Sequence, residues 1–300
     1  TETAVFTATP EPTPTPSPTI QTTPLGGGGG QIAFVSDRSG IAQIYLVNSD
    51  SSGLTQISNL PDGACQPSWS PDGQRLVVVS PCKSKEEMYR GTSLFLMNAD
   101  GSGVFPLSSM PGGDFDPAWS PDGKQIAFST LRDGNLAHIY IYDLGTNKAT
   151  RLTSASTYDH RPTWSPDGKF LAFESTRLGK PQIYYIDLET GKEREFTMLD
   201  AQDDHKPDWS QDGLVIVFHT GGREIAVKQF GDRNAKEFII APETGPSIDA
   251  SISPDGFWIA YENYRNNANN HDIYIMTQNG GSITRLTDDP ALDFQPAWRP

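Results

Sequence analysis

One turn motif, repeated along the chain, constrains the fold more than anything else in the sequence. SWSPDGQ (68–74), AWSPDGK (118–124), TWSPDGK (163–169), DWSQDGL (208–214) and SISPDGF (251–257) are near-copies, and a clipped copy, AWRP, ends at Pro300. Trp69, Trp119, Trp164, Trp209, Ile252 and Trp298 stand 50, 45, 45, 43 and 46 residues apart. A period near 45 residues is that of one propeller blade per repeat. Each copy reads as a short strand ending in a buried aromatic, followed by turn chemistry. Proline presets φ at the first corner, aspartate bonds nearby backbone, and glycine takes the left-handed position that closes a bulged hairpin.

The segments between turns repeat as well. A β-branched or aromatic run follows each turn: QRLVVVS, KQIAFST, KFLAFES, LVIVFHT and FWIAYEN. Third strands are expected at QIYLVN (43–48), SLFLMN (93–98), HIYIYD (138–143), QIYYID (182–187), EIAVKQ (224–229) and DIYIMT (272–277). Fourth strands are expected at LTQIS (54–58), VFPLS (104–108), ATRLT (149–153), REFT (194–197), KEFII (236–240) and SITRLT (282–287). No stretch has helical periodicity, so the fold expected for 31–300 is all-β. The first unit, opening on IAFVS, lacks an inner strand, and the C-terminus ends on a lone one, Gln295-Pro296-Ala297-Trp298. Pairing the two closes a ring of six four-stranded blades without an unpaired central edge.

Residues 1–30 are different. TATPEPTPTPSPTIQTTP, then Leu25 and five glycines, reads as an extended Thr/Pro stalk with a flexible joint. The chain opens on Thr1 and is expected to be part of something longer. Neither a cleavable signal peptide nor an apolar run long enough to span a bilayer is present in it. A net charge of −14 and a pI near 4.7 argue against nucleic acid or an anionic membrane surface as partner.

PAWSPDGKQIAFST, HIYIYD and TRLT together resemble the TolB-like, PD40 (WD40-like) β-propeller repeat, over about 31–300. The departures are Ile252 in place of Trp, Gln211 in place of Pro, and the clipped last copy. The resemblance implies a closed propeller that binds proteins or small ligands at one face. It also implies an outer domain of a bacterial membrane protein, such as a Ser/Thr kinase with a Pro/Thr-rich linker. A tethered, extracytoplasmic, monomeric binding module is therefore expected, with a protein, peptide or glycan ligand and with no cofactor or metal.

In such a propeller, the loop entering the inner strand and the loop between strands two and three open on one face beside the channel. Three residues before each Trp position stand Gln66, Asp116, Arg161, Lys206, Asp249 and Gln295, a mixed polar ring suited to ligand contact. Five residues before it stand Ala64, Asp114, Asp159, Asp204, Ser247 and Asp293, whose repeated Asp reads as a loop staple for backbone N–H groups. His160 and His205 lie beside this ring as further ligand candidates or as simple loop histidines.

Cys65 is four before Trp69 and Cys82 thirteen after it; the equivalent positions elsewhere hold Phe115 with Arg132, His160 with Arg177, and Phe294 with Arg38. A Cys65–Cys82 disulfide is expected, with a bulge to bring the two into register, and it would support an oxidising compartment. Two lengthened loops on the same face, Lys83–Arg90 and Asn263–His271, suit protein or sugar contacts.

No catalytic residue is expected. G-x-S-x-G, HExxH and a phosphate-cradling loop are absent. Asp114, Asp159 and Asp204 could serve a glycosidase, but they recur as repeat positions. The rival readings are a propeller hydrolase acting on glycans or peptides, and a structural surface spacer.

Overall fold

The computed structural model describes residues 30–83, 88–107, 112–198, 202–221, 223–232, 234–240, 245–264 and 270–300. Residues 1–29 of the expected stalk, 1–30, and the middle parts of the two lengthened loops, 84–87 and 265–269, lie outside the described residues. The described residues form six four-stranded antiparallel sheets and no helix.

The inner strands are Cys65–Trp69, Asp114–Trp119, Asp159–Trp164, Asp204–Trp209, Ser247–Ile252 and Asp293–Trp298. They define blades one to six, and each packs against the next, the last against the first. Closure follows the expected pairing: Asp293–Trp298 lies antiparallel to Gln31–Ser36, with Ile32 opposite Trp298 and Ala33 opposite Ala297. The C-terminal strand thus completes the sheet that contains Gln31–Ser36, as a ring of radial sheets requires.

Second strands are apolar on both faces because both are covered, by the blade before and the blade after. Ile126, Leu171, Ile216 and Ile259 have no exposure at all. The repeated Trp seals the joint between blades. Trp164 Nε1 donates to the Ala118 carbonyl of the preceding blade at 3.0 Å, and Trp69 does the same to Ala297 at 3.2 Å. Removing such a ring from water buries about 200 Å², roughly 5 kcal/mol of transfer free energy. Ile252, in the Trp position of blade five, is buried as deeply as Trp209.

The turns are built as their residues dictate. In Ser165-Pro166-Asp167-Gly168, Ser165 Oγ donates to Asp167 Oδ1 at 2.7 Å while the Lys169 and Phe170 N–H groups bond Asp167 and Ser165. Gly168 sits at φ 69°, where a Cβ would be strained. The Gln211 turn keeps the same bonds, Ser210 to Asp212 at 2.6 Å and Leu214 N–H to Asp212 at 2.9 Å. Proline there only presets an angle that these bonds also fix.

Outer strands are shorter than their sequence runs, two residues at Thr55–Gln56 and Phe105–Pro106 and four at Lys148–Arg151. They have a partner on one side only, and short edges of this kind resist pairing with other chains.

Candidate functional site

The six inner strands surround a central channel of about 620 Å³ that runs from the polar ring to the turns. The residues expected on a loop entering each inner strand belong to the strand itself, which starts at the Asp position in four blades. Each inner strand then bulges at the ring position. Gln66, Asp116, Arg161, Lys206, Asp249 and Gln295 all stand in the left-handed region, with φ of 51°, 49°, 55°, 48°, 54° and 53°. A residue with a Cβ gives up roughly 1–2 kcal/mol to stand there. Six repetitions of that strain need a common support.

The support is a belt of hydrogen bonds between blades. A bulge leaves one N–H outside the ladder, and in four blades a side chain of the preceding blade takes it. Gln295 N–H donates to Glu262 Oε2 at 3.4 Å, Gln66 N–H to Gln295 Oε1 at 2.9 Å, and Asp116 N–H to Gln66 Oε1 at 2.7 Å. Ser129 Oγ donates to Asp116 Oδ2 at 3.3 Å and accepts the Arg161 N–H at 3.0 Å. Arg161 Nη1 reaches Glu174 Oε2 at 2.8 Å, and Lys206 pairs with Asp249 across the next joint. The ring residues therefore carry the ring as well as line it.

One half of the belt is backed by charged and titratable side chains, the other by apolar ones and the Ser129 hydroxyl. Under the ring, strand-one and strand-two residues pair as Cys65 with Val79, Phe115 with Ser129, and Phe294 with Val35 on one side. On the other side the pairs are His160 with Glu174, His205 with His219, and Ile248 with Glu262. His160 Nε2 and His205 Nδ1 lie 3.1 and 2.9 Å from Glu174 Oε1, so one carboxylate gathers both sequence-predicted histidines. They stand in strands, not in loops.

Burial opposes the charge on Glu174, but Arg161 and then His160 outweigh it and hold the carboxyl well below its usual range. Burial likewise works against charging His160, and Glu174, helped by Asp116, pushes the imidazole up to about 9. Burial holds His219 well below the usual imidazole range, beside the stacked His205 ring at 4.9 Å. Burial pushes Glu262 up despite its contact with His271.

The repeated Asp is a staple of a different kind from the one expected. Asp114 accepts Arg132 Nη2 at both carboxylate oxygens, 2.8 Å each, and Thr130 Oγ1 at 2.5 Å; Asp159 accepts Arg177 at 3.0 Å and Asp293 accepts Arg38 at 2.8 Å. These carboxylates are buried, and a buried charge needs a full countercharge more than it needs backbone dipoles. Each arginine also lies over aromatic rings of its blade, 5.1 Å from Tyr140, 4.4 Å from Tyr184 and 5.0 Å from Tyr45. In blade one the arginine position is Cys82 and the Asp position Ala64; Cys65 and Cys82 form a disulfide with Cα atoms 5.6 Å apart. The expected bulge lies between Cys65 and Ser68. Among the described residues no group of three or more His, Cys, Asp and Glu is placed to hold a metal ion.

Sequence reasoning missed Ser129, Glu174, His219 and Glu262. Their signal was polar character inside otherwise apolar second strands, as in KFLAFES and FWIAYEN. Of the lengthened loops, the described part of the first is tied to blade two, where Arg90 Nη2 donates to the Gly134 carbonyl and Asn135 Oδ1 at 2.7 Å each.

The chain is a closed six-bladed propeller, a repeat protein with a self-supported polar ring at one channel mouth. The model of the PD40 family, TolB beta propeller domain, matches residues 88–270, and the chain belongs to that family. Among solved structures, TolB from Acinetobacter baumannii is similar with a TM-score of 0.76 and 24% identity, over 90% of this chain and 67% of that one. A putative TolB from Agrobacterium tumefaciens gives 0.68 and 20%, over 90% of this chain and 98% of that one. The uncharacterized peptidase YuxL of Bacillus subtilis is 36% identical over 52 residues, which are 17% of this chain and 8% of that protein's length.

Proposed function

We propose that this propeller is a non-catalytic, extracytoplasmic binding module that takes a segment of a protein partner at the channel mouth ringed by Gln66, Asp116, Arg161, Lys206, Asp249 and Gln295. The observation that carries this reading is the bulge ring. One strained position is kept on each of the six inner strands, and its side chain differs from blade to blade, as amide, carboxylate, guanidinium or amine, where the backbone strain alone would favour Gly or Asn. Membership of the TolB beta propeller family supports a protein partner in preference to a small substrate. The Cys65–Cys82 bridge supports an oxidising compartment.

Residues 31–300 act as one domain in this reading, and 1–30 as its stalk. The attachment point favours display: Gln31 lies on the turn face, held by Arg299 at 2.7 Å, and Arg299 also reaches the Gly73 carbonyl of a turn at 2.8 Å. A stalk leaving there holds the mouth away from whatever anchors it.

The test is selection of displayed peptides against the wild-type chain, followed by calorimetry on the paired variant Lys206→Asn/Asp249→Asn. This pair removes both charges together and keeps residues that tolerate left-handed φ. Saturable one-to-one binding, weakened at least tenfold in the variant with the fold unchanged, supports the reading. Equal binding by both proteins, or turnover of a glycan or peptide panel, overturns it; the second result would favour the hydrolase that the peptidase relative's name suggests.

A further inference from the structure

Below the belt, the next wall-lining ring of the channel is Ser68, Ala118, Thr163, Asp208, Ser251 and Ala297. In three of these positions the side chain accepts the N–H at the Trp position of the next blade. Ser68 Oγ takes Trp119 N–H at 3.1 Å, Ser251 Oγ takes Trp298 N–H at 3.3 Å, and Asp208 Oδ2 takes Ile252 N–H at 2.9 Å. A serine suffices for that bond in two blades, so the charge of Asp208 is surplus to it.

That charge has no counterion. Asp208 also accepts its neighbour Trp209 N–H at 3.1 Å, the Thr163 hydroxyl at 3.5 Å and the Ser251 hydroxyl, all neutral donors, and no Lys, Arg or His among the described residues pairs with it. The charged residues of the flanking strands are engaged at the mouth, Arg161 with Glu174 and Lys206 with Asp249. Burial pushes the Asp208 carboxyl up to about 6, as it does for a charge left without a partner. The lining around it combines the apolar surfaces of Pro162, Pro207 and Trp209 with the hydroxyls of Ser68, Thr163 and Ser251.

We propose that the channel receives an alkylammonium group of the bound partner, its methylene stem against the proline and tryptophan wall and its charge against Asp208. This deepens the proposed function and rests on the channel being the ligand site. A stem of four or five carbons suits an apolar wall with a charged end. A divalent ion would want several carboxylate or carbonyl oxygens, and among the described residues no such acidic or histidine group is assembled.

The probe is n-pentylammonium, titrated against the full chain by ligand-observed NMR with n-pentanol, KCl and CaCl2 in parallel. Nα-acetyl-lysine methylamide and norleucine amide then separate a lysine side chain from an amino terminus. Binding of n-pentylammonium and not n-pentanol, weakened at least tenfold in Asp208→Ser, supports the inference; serine is chosen because it already makes the required bond in blades one and five. On the wild-type chain, lowering the pH from 7.5 to 5.0 should weaken binding about tenfold as Asp208 takes a proton. Equal binding of n-pentanol, an unaffected Asp208→Ser variant, or displacement by equimolar KCl or CaCl2 overturns it. If the ammonium fails while Lys206→Asn/Asp249→Asn still abolishes peptide binding, this inference alone falls; if neither measurement finds a channel ligand, the binding reading falls too.

Discussion

Glu174→Gln tests whether the charged half of the belt is held together as described. Glu174 is 2% exposed and is bonded by Arg161 at 2.8 Å, His160 at 3.1 Å and His205 at 2.9 Å. Two routes give the magnitude. Removing one partner from a buried ion pair costs about 3–5 kcal/mol. Independently, His160 rises from 6.5 to about 9 in the fold, and at 1.36 kcal/mol per unit this is about 3 kcal/mol. The second route fixes the pH dependence. A base whose folded value exceeds its unfolded one gives stability that is fully present below pH 6.5 and is lost as pH rises through about 9. Glu174→Gln should therefore cost about 3 kcal/mol at pH 6 and roughly 2 kcal/mol less at pH 9.5, the remainder reflecting Arg161, which stays charged. Urea unfolding of both proteins at the two pH values, with equal m-values, measures this. A penalty under about 1 kcal/mol at pH 6, or one equal at both pH values, would refute the account of the cluster.

Other parts of the fold give separate tests. Cys65→Ala/Cys82→Ala, or reduction of the wild type, should lower stability by about 3 kcal/mol for a loop of this length, read by denaturant unfolding with and without reductant. Asp114→Ala strands Arg132 and should cost about 3 kcal/mol, whereas Asp204→Asn should be stabilising at pH 7. Burial pushes Asp204 up to about 6; an acid raised in the fold favours folding as pH falls through that value, so the Asn variant should gain up to about 3 kcal/mol at pH 7 and lose the advantage near pH 4. A thermal-melt series across pH separates the two Asp variants. Gln66→Ala removes the acceptor for the Asp116 N–H and should cost about 1 kcal/mol while raising amide exchange at Asp116 in hydrogen-exchange NMR.

Counting residues from a repeated Trp was enough to place the blades, the closing strand and the ring, because those positions depend only on the period. The belt was not legible in the same way. Its acceptors come from the preceding blade, about 30 residues or more away in sequence, as with Ser129 for Arg161 and Glu262 for Gln295. Its left-handed backbone is hidden because Gln66, Arg161 and Lys206 are not residues that seek positive φ, and only Asp116 and Asp249 hint at it. Glu174 and Glu262 could have been flagged as the charges that interrupt second strands buried on both faces, since a charge there must find a partner.

The disulfide becomes intelligible once the blades are overlaid. In blades two, three and six, Asp and Arg join the start of the inner strand to the loop after the second strand, with the arginine against two aromatic rings. In blade one the second strand, Arg75–Ser80, has Val78 in place of the aromatic that the arginine would cover, and Cys82 stands at the arginine position. A covalent bond there ties the same two segments without burying any charge. The tie matters for the mouth because Cys65 immediately precedes Gln66, whose N–H and side chain both belong to the belt. Loss of the bridge should therefore loosen Gln66 and Asp116 before it loosens Lys206 and Asp249 on the far side, a gradient that residue-resolved amide exchange under reducing conditions would show or exclude.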